Sequence, residues 1–265
     1  EYFPVLVTTL LTLEEEKNYV SMAASSTSSP AILMIVNGPI RDQIGVNYRD
    51  GLFGPGFRAN ASLGRAVRLC FMNGFEARPG TLDRGTLGNP SKYTLCIAEN
   101  EEDSPWEPLH VSHGFKAEDS CVTIAVAYNP ITVNNAYGQT GESILASIAD
   151  TLKSACLVWR FPSQWVLVIG PEHAITLHAD GWIRRNIQDY LIENATRPLS
   201  ELIRLGIAQG PEKPGDDKLV RRCSRDPEDI IIVMGGGTGG RNSAIIDTTN
   251  FKIRTRKVDM SVVRD

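Results

Sequence analysis

The chain has 265 residues, of which 42% are hydrophobic and 22% are charged, values close to those of an average globular domain. This composition excludes intrinsic disorder, and the longest apolar run, over residues 31–36, is far short of the roughly 20 residues that span a bilayer. The net charge of −4 and a pI near 5.7 provide no basic footprint for nucleic acid. We therefore expect a soluble, cytoplasmic protein without nucleic-acid or membrane partners.

The N-terminal part of the chain predicts two helices and one strand. Apolar residues at helical spacing predict a helix over residues 2–16, and a Ser-rich link without periodicity follows over residues 21–30. The apolar run over residues 31–36 is typical of a strand buried on both faces. After a glycine-rich loop at residues 51–56, a period near 3.6 predicts an amphipathic helix over residues 60–72.

Short apolar runs of strand type alternate with helical patterns in the rest of the chain. Strands are predicted over residues 93–98, 121–127, 165–169 and 230–234, and helices over residues 140–155 and 182–194. Thr140 has a side chain suited to an N-cap. Buried strands separated by helices predict an α/β fold with a largely parallel sheet covered by helices, rather than a β-sandwich.

This fold is expected to form a single large domain. Residues 1–205 make up the α/β core, and residues 206–229, rich in proline and charge, form an exposed linker or flap. Residues 230–265 contribute the final strand, a glycine-rich loop and C-terminal strands of the same domain.

The segments that directly follow the predicted strands are unusually polar. In an open parallel sheet the ligand crevice lies outside the carboxyl ends of the strands. Each such segment alone would be an ordinary turn, but together they predict a shared polar pocket. The segments are Asn37-Gly38-Pro39, Glu99-Asn100-Glu101-Glu102, Tyr128-Asn129-Pro130, Gly170-Pro171-Glu172-His173 and Gly235-Gly236-Gly237-Thr238-Gly239-Gly240.

The last of these segments, with Gly236 and Gly237, is not a nucleotide-binding fingerprint. It lacks the Lys and Ser/Thr of a P-loop, and it ends a late strand rather than opening a nucleotide fold. Glycines let backbone N–H groups approach a carboxylate or phosphate closely, so the loop is a candidate anion cradle. A flexible or tightly packed turn is the alternative.

The sequence predicts neither a metal site nor a disulfide framework. His110 and His113 lie near several glutamates, but their spacing matches no zinc motif, so we expect no metal ligands and name no cofactor. A serine nucleophile elbow, GxSxG, is absent. The cysteines are odd in number and form no CxxC pair, which favours buried reduced thiols: they are Cys70, Cys96, Cys121, Cys156 and Cys223.

His173 is the side chain to which we assign most importance. Gly170-Pro171 turns the chain at the end of the strand predicted over residues 165–169, which places His173 in the first turn of a helix. A helix N-terminus disfavours the imidazolium, so the ring is expected to be neutral near pH 7 and available as a base. Glu172 beside it would anchor a substrate or complement the helix dipole.

Several motifs resemble those of the UGSC-type (seleno)proteins, a bacterial family. The resemblance spans roughly residues 1–205. It implies a thiol or selenol redox function, but no Cys-Gly-Ser-Cys occurs in this chain. The resemblance therefore places the reactive group on an upstream segment or on a separate Cys-containing subunit. The motifs are Val36-Asn37-Gly38-Pro39-Ile40-Arg41, residues 53–61 with Arg58 and Asn60, Ala98-Glu99-Asn100-Glu101-Glu102, Pro105-Trp106-Glu107-Pro108-Leu109-His110-Val111, Gly170-Pro171-Glu172-His173-Ala174 and Asp180-Gly181-Trp182.

Our first hypothesis is an enzyme that acts on a small polar or anionic metabolite by general acid–base chemistry, as a lyase, hydratase or hydrolase. The alternatives are the substrate-binding subunit of a thiol or selenol redox system, and a non-catalytic scaffold. A small molecule is the expected partner, with a homo-oligomer or a Cys-containing subunit as further alternatives. The candidate catalytic residues are His173, Glu172, Glu99 and Glu101, and the candidate substrate-binding residues are Asn37, Arg41, Arg58, Asn60, Asn100, Trp106, His110, Gly236 and Gly237.

Overall fold

The computed structural model describes residues 1–54, 56–155, 163–249 and 251–262. Pro55 of the glycine-rich loop, Cys156 and the end of the predicted C-terminal unit, residues 263–265, lie outside the described residues. The described strands form two four-stranded sheets and a two-stranded ribbon. In chain order the strands are β1 (Ala31–Asn37), β2 (Cys96–Ala98), β3 (Cys121–Ala127), β4 (Ile131–Asn134), β5 (Trp165–Ile169), β6 (Thr196–Pro198), β7 (Val220–Arg222), β8 (Ile230–Met234), β9 (Asn242–Asp247) and β10 (Arg254–Lys257).

The helices agree with the predicted patterns at most positions. The Ser-rich link is an exception, since its first residues belong to a helix that ends at Ser25. The predicted N-cap is present, because Thr140 Oγ1 accepts a hydrogen bond from the Ser143 N–H at 3.2 Å. The helices are α1 (Phe3–Glu15), α2 (Lys17–Ser25), α3 (Ile40–Gln43), α4 (Arg58–Gly74), α5 (Leu109–Ser112), α6 (Gly141–Ala155), α7 (Pro171–Ala179), α8 (Arg184–Asn194) and α9 (Leu199–Arg204).

Both large sheets are mixed, so the prediction of a largely parallel sheet is wrong. The first has the order β10-β3-β1-β2, and the second has the order β4-β9-β5-β8. Strands β1 and β2 pair in parallel, as do β5 and β8, whereas the other described pairs of these two sheets are antiparallel. Continuous apolar runs indicate burial on both faces, and the direction of the neighbouring strand does not follow from them.

The strands are buried on both faces because the two sheets pack against each other beneath outer helices. Alternate residues of β1 point to opposite sides: Leu33 and Ile35 contact the second sheet, whereas Met34 and Val36 face helices α1, α2 and α4. In the second sheet, Val166 belongs to the layer between the sheets. The other face of that sheet packs on α6, α7 and α8. The chain is thus one α/β domain with layers in the order helix, sheet, sheet, helix.

The two parallel pairs end at the same end of this four-layer structure. The Asn100 N–H, just after β2, donates to the Met234 carbonyl at the end of β8 at 2.9 Å, which joins the edges of the two sheets. Strand β3 runs antiparallel to β1, with Ala127 opposite Ala31. The segment that begins at Tyr128 therefore lies at the opposite end, and the predicted meeting of all five polar segments does not occur.

Segment 206–229 has both exposed and anchored parts. Most of residues 206–222 are exposed, but Val220–Arg222 pairs with Thr196–Pro198, and Cys223 is fully buried. No helix in the described part of the chain is long and apolar enough to cross a membrane.

Candidate functional site

A cavity of about 570 Å³ opens at the end of the second sheet where β5 and β8 finish. One wall is the glycine loop, residues 235–240, and the facing wall is the segment over residues 50–54. The floor includes Val168, Ser243 and Ala244. Of the described residues that line this cavity, Asp50 is the one that carries a charge. The predicted ligand-binding residues Gly236 and Gly237 both belong to the lining.

Glycine allows the two walls to approach each other. The Gly236 N–H donates to the Tyr48 carbonyl at 3.0 Å, and Gly236 has a φ of +100°, a conformation that favours glycine. A Cβ on Gly237 would overlap the carboxylate of Asp50. Gly237 is therefore needed for close packing of the walls, which supports the packed-turn alternative for this part of the loop.

His173 lies directly beside the cavity and contacts one of its lining residues. It occupies the first turn of α7, as predicted, and its ring is fully buried. Nδ1 lies 2.8 Å from Ser243 Oγ, and the Gly170 N–H points at the same hydroxyl oxygen from 3.4 Å. Ser243 is 4% exposed and begins the buried part of β9. The pair therefore joins a titratable ring to a hydroxyl on the cavity floor.

The surroundings of His173 favour a neutral imidazole. Burial is the largest effect and lowers the pKa of His173 below its ordinary value of 6.5. The backbone carbonyl of Asn135 and the carboxylate of Glu172 act in the opposite direction, and the positive charge of Arg241 adds to the lowering. A neutral ring retains one nitrogen that can accept a proton.

Glu172, next to His173, holds the glycine loop. Its Oε1 accepts a hydrogen bond from the Gly239 N–H, and its Oε2 is buried without a hydrogen-bond partner among the described residues. The carboxylate also lies in the first turn of α7, where it complements the positive end of the helix. Its contacts therefore favour a positioning function.

A second polar cluster, formed by Asn37, Glu99, Glu101 and His110, lies at the corresponding end of the first sheet. The Asn37 amide donates to Glu99 Oε2 at 2.6 Å and to Glu101 Oε1 at 2.9 Å. The Leu109 N–H donates to Glu99 Oε2 at 2.8 Å. His110 Nδ1 lies 3.9 Å from Glu101 Oε1. Asn37 ends β1, and Glu99 and Glu101 follow β2, so the parallel pairing of the two strands brings them together, while His110 comes from α5.

Glu99 has the most strongly perturbed environment in this cluster. Its side chain is fully buried, and burial raises the pKa of its carboxyl to about 7. Hydrogen bonds from Leu109 and Asn37 lower this pKa, but their effect is smaller than that of burial. The charge of Arg184 also lowers this pKa, whereas Glu101 raises it. At and around this cluster, the buried polar atoms without a hydrogen-bond partner among the described residues include Glu99 Oε1, Asn37 Oδ1, His110 Nδ1 and Arg184 Nε. The cluster therefore has unused hydrogen-bonding capacity.

Arg41 holds the segment after β2 in place. Its guanidinium donates to Glu102 Oε1 and to the Glu99 carbonyl, both at 2.6 Å, and its Nε contacts Glu101 Oε1 at 3.3 Å. Glu101 also accepts from the Gly38 N–H at 2.8 Å. Contacts from Asn37, Gly38 and Arg41 thus converge on Glu101 Oε1 and hold this carboxylate in place.

Three of the other predicted site residues have structural contacts away from both clusters. Asn60 is buried and exchanges hydrogen bonds with the backbone of Asn47, and it also donates to the Cys96 carbonyl. Trp106 packs in the outer core of the second sheet and donates to the Trp182 carbonyl. Arg58 is exposed and pairs with Glu1.

Three of the described cysteines are poorly suited to redox chemistry. Burial raises the pKa values of Cys96, Cys121 and Cys223 to about 12, and a thiol reacts mainly as its thiolate. Cys70 is only partly buried, in α4. No group of three or more His, Cys, Asp or Glu side chains within the described ranges is arranged to hold a metal ion.

No known protein family and no curated protein matches this chain. The resemblance to the UGSC-type family therefore stays a prediction from its motifs.

Sequence reasoning missed Ser243, which contacts His173, and Arg184, whose charge acts on Glu99. Ser243 follows the glycine loop at the start of an apolar run and has no GxSxG pattern around it. Arg184 begins α8 and donates to the Glu107 carbonyl at 2.6 Å, near Glu99. An arginine or serine at such positions is common, so no local signal distinguishes either residue.

Proposed function

We propose that this chain is an enzyme that acts on a small polar metabolite by general acid–base chemistry, of the hydrolase, lyase or hydratase type. The observation that carries the proposal is the contact of 2.8 Å between His173 Nδ1 and Ser243 Oγ on the floor of the cavity. A base must lie within hydrogen-bond reach of the proton that it removes. His173 satisfies this condition toward Ser243.

The size and lining of the cavity support a small substrate. Its volume of about 570 Å³ lies within the range of roughly 300–1,000 Å³ that is typical of small-molecule sites. The charge of Asp50 in the lining disfavours a strongly anionic substrate. A neutral polar molecule with a carbonyl oxygen would suit the exposed glycine backbone better.

The protonation state of His173 supports a role as a base. Burial lowers its pKa, so the ring is neutral at pH 7 and ready to accept a proton. Glu99, whose pKa is about 7, is a second titratable group at the same end of the domain. The hydrogen bond from the Asn100 N–H to the Met234 carbonyl connects the segment that contains Glu99 to the strand that leads into the glycine loop. Perturbed pKa values of this kind are concentrated at functional sites.

The proposal is tested by a search for turnover with a matched pair of histidine variants. Purified wild-type protein is incubated with a metabolite extract, and mass spectrometry follows which small molecules disappear. The comparison uses His173→Gln, which removes titration, and His178→Gln on the exposed side of the same helix. We expect His173→Gln to lower the turnover about a hundredfold and His178→Gln to retain it. Equal turnover by the two variants, at unchanged melting temperatures, would contradict the proposal.

A further inference from the structure

We propose that Ser243 is a nucleophile that forms a covalent acyl intermediate with a small neutral ester or amide. This inference rests on the proposed function and narrows it to hydrolysis through an acyl-serine. Serine hydroxyls need an adjacent base to become nucleophilic, and the base must lie about 2.6–3.2 Å away. The Ser243 Oγ to His173 Nδ1 distance of 2.8 Å meets this requirement.

The direction of the hydrogen bond follows from the neighbours of the hydroxyl. The Ser243 oxygen accepts from the Gly170 N–H, so its own hydrogen is available to the ring, and His173 Nε2 is buried without a hydrogen-bond partner among the described residues. We assign the proton to Nε2, which leaves Nδ1 as the acceptor for the Ser243 hydroxyl hydrogen. The Gly170 N–H contacts the same oxygen at 3.4 Å and helps to hold it.

The geometry of the second sheet explains why Ser243 and His173 meet. Strand β9 runs antiparallel to β5, with Ser243 opposite Ile169. Helix α7 begins two residues after Ile169, so its first turn faces the start of β9. His173 and Ser243 are therefore held by the sheet register and by a helix rather than by a flexible loop.

Unpaired backbone donors line the same cavity. The N–H groups of Gly237, Thr238 and Gly240 have no acceptor among the described residues, and all three residues line the cavity with Ser243. Backbone N–H groups of this kind stabilise the negative oxygen of a tetrahedral intermediate. The cavity lining thus contains a hydroxyl and residues with free backbone donors, and a base lies directly behind that hydroxyl; these are the types of group that acyl transfer requires.

The reaction is balanced by the groups named. Ser243 Oγ forms a bond to the carbonyl carbon while its proton passes to His173 Nδ1, and the carbonyl π electrons move to oxygen. When the intermediate collapses, the bond to the leaving group breaks and the leaving group takes the proton from His173. Water then attacks the acyl carbon, gives its proton to His173 Nδ1, and that proton returns to Ser243 Oγ as the acid departs.

The charge of the lining restricts the substrate class. Asp50 lies against Gly237 in the facing wall, and a carboxylate on the acyl group would meet its negative charge. We therefore expect neutral esters or amides to react and acyl groups that carry a carboxylate to react poorly.

A fluorophosphonate probe tests the nucleophile directly. The serine oxygen displaces fluoride from phosphorus, and intact-mass spectrometry detects the phosphonyl ester. We expect one adduct on the wild-type protein that maps to Ser243, none on Ser243→Ala, and labelling at least about a hundredfold slower on His173→Gln. Ser91→Ala is the matched control, because Ser91 Oγ contacts the Asn129 side chain rather than a histidine. It should label at the wild-type rate.

A second variant keeps the test decisive if Ser243→Ala is unstable. Ser243→Cys retains the size of the side chain, and its thiol beside His173 should react with iodoacetamide faster than Cys70 does at pH 7. Absence of a fluorophosphonate adduct on wild-type protein, or an equal rate on Ser243→Ala, would overturn the proposal. Slow alkylation of the new thiol, at a melting temperature close to wild type, would also count against it.

The outcomes separate this inference from the proposed function. If Ser243→Ala keeps metabolite turnover while His173→Gln loses it, the base function stands and the nucleophile is wrong. If the probe labels Ser243 at the same rate with or without the His173 ring, Ser243 reacts without that base and the proposed function of His173 fails.

Discussion

A Cβ atom on Gly170 would overlap the backbone carbonyl oxygen of Asn242. Gly170 is the N-cap of α7, and its φ of −71° is open to any residue, so the constraint at this position is contact rather than conformation. The absence of a side chain lets the start of β9 lie against the start of α7. This close approach brings Ser243 within hydrogen-bond distance of His173.

Gly170→Ala should therefore separate the two segments. The neighbouring atom belongs to the backbone and cannot rotate away, so we expect a destabilisation of about 1–3 kcal/mol, as for overpacked sites. Fluorophosphonate labelling of Ser243 should fall as well. The free energy of unfolding in urea and the labelling rate are the measurements. Gly74→Ala is the control, since a Cβ there meets nothing within 4 Å; equal stability of the two variants would show that the contact relaxes.

The pKa of Glu99 predicts a pH dependence of stability. Its folded-state pKa of about 7 lies above its ordinary value of 4.5, so the folded protein binds this proton more tightly than the unfolded chain. The contribution is full below about pH 4.5 and is lost as the pH rises through 7. Glu99→Gln resembles the protonated side chain and should lack this loss.

We expect wild-type protein to lose up to about 3 kcal/mol relative to Glu99→Gln between pH 5 and pH 8. Asp247, whose pKa burial raises to about 6, is present in both proteins and does not affect the difference. Urea denaturation over this pH range is the measurement, and Glu193→Gln on the exposed face of α8 is the control. Parallel pH profiles for wild type and Glu99→Gln would contradict the prediction.

The buried thiols should be unreactive in the folded protein. Raising a thiol pKa from 9 to about 12 lowers the thiolate fraction on the order of a thousandfold at pH 8. We expect Cys96, Cys121 and Cys223 to react with iodoacetamide far more slowly in the native state than in urea, whereas Cys70 reacts in both. Peptide mapping distinguishes the sites. Rapid native labelling of Cys223 would reopen a redox role for the described cysteines.

The second polar cluster, which contains Asn37 and Glu99, shows what local sequence patterns can predict. Asn37 and Glu99 each follow an apolar run, and they meet because β1 and β2 happen to be parallel neighbours. The same rule failed for Tyr128, because β3 is antiparallel to β1 and delivers its last residue to the other end. An apolar run specifies burial, while strand direction depends on partners far along the chain.

The sequence predicted the position of His173 but not its contact with Ser243. The turn at Gly170-Pro171 indicated a helix start and placed the histidine in its first turn, which the structure confirms. Its partner depends on β9 returning antiparallel beside β5, and nothing near Ser243 marks that pairing. The packing of two sheets against each other was missed for a similar reason. A strand needs the same apolar residues whether a helix or another sheet covers it, so the sequence pattern does not distinguish the two arrangements.

The residues between the two sheets are small at several positions, among them Ala31, Ala125, Ala127 and Ala244. Side-chain volume in this layer sets the separation of the sheets. Ala244 also lines the cavity, so one of these small residues belongs both to the layer between the sheets and to the cavity floor. A larger side chain at position 244 would therefore press on the facing sheet and take up cavity volume at the same time.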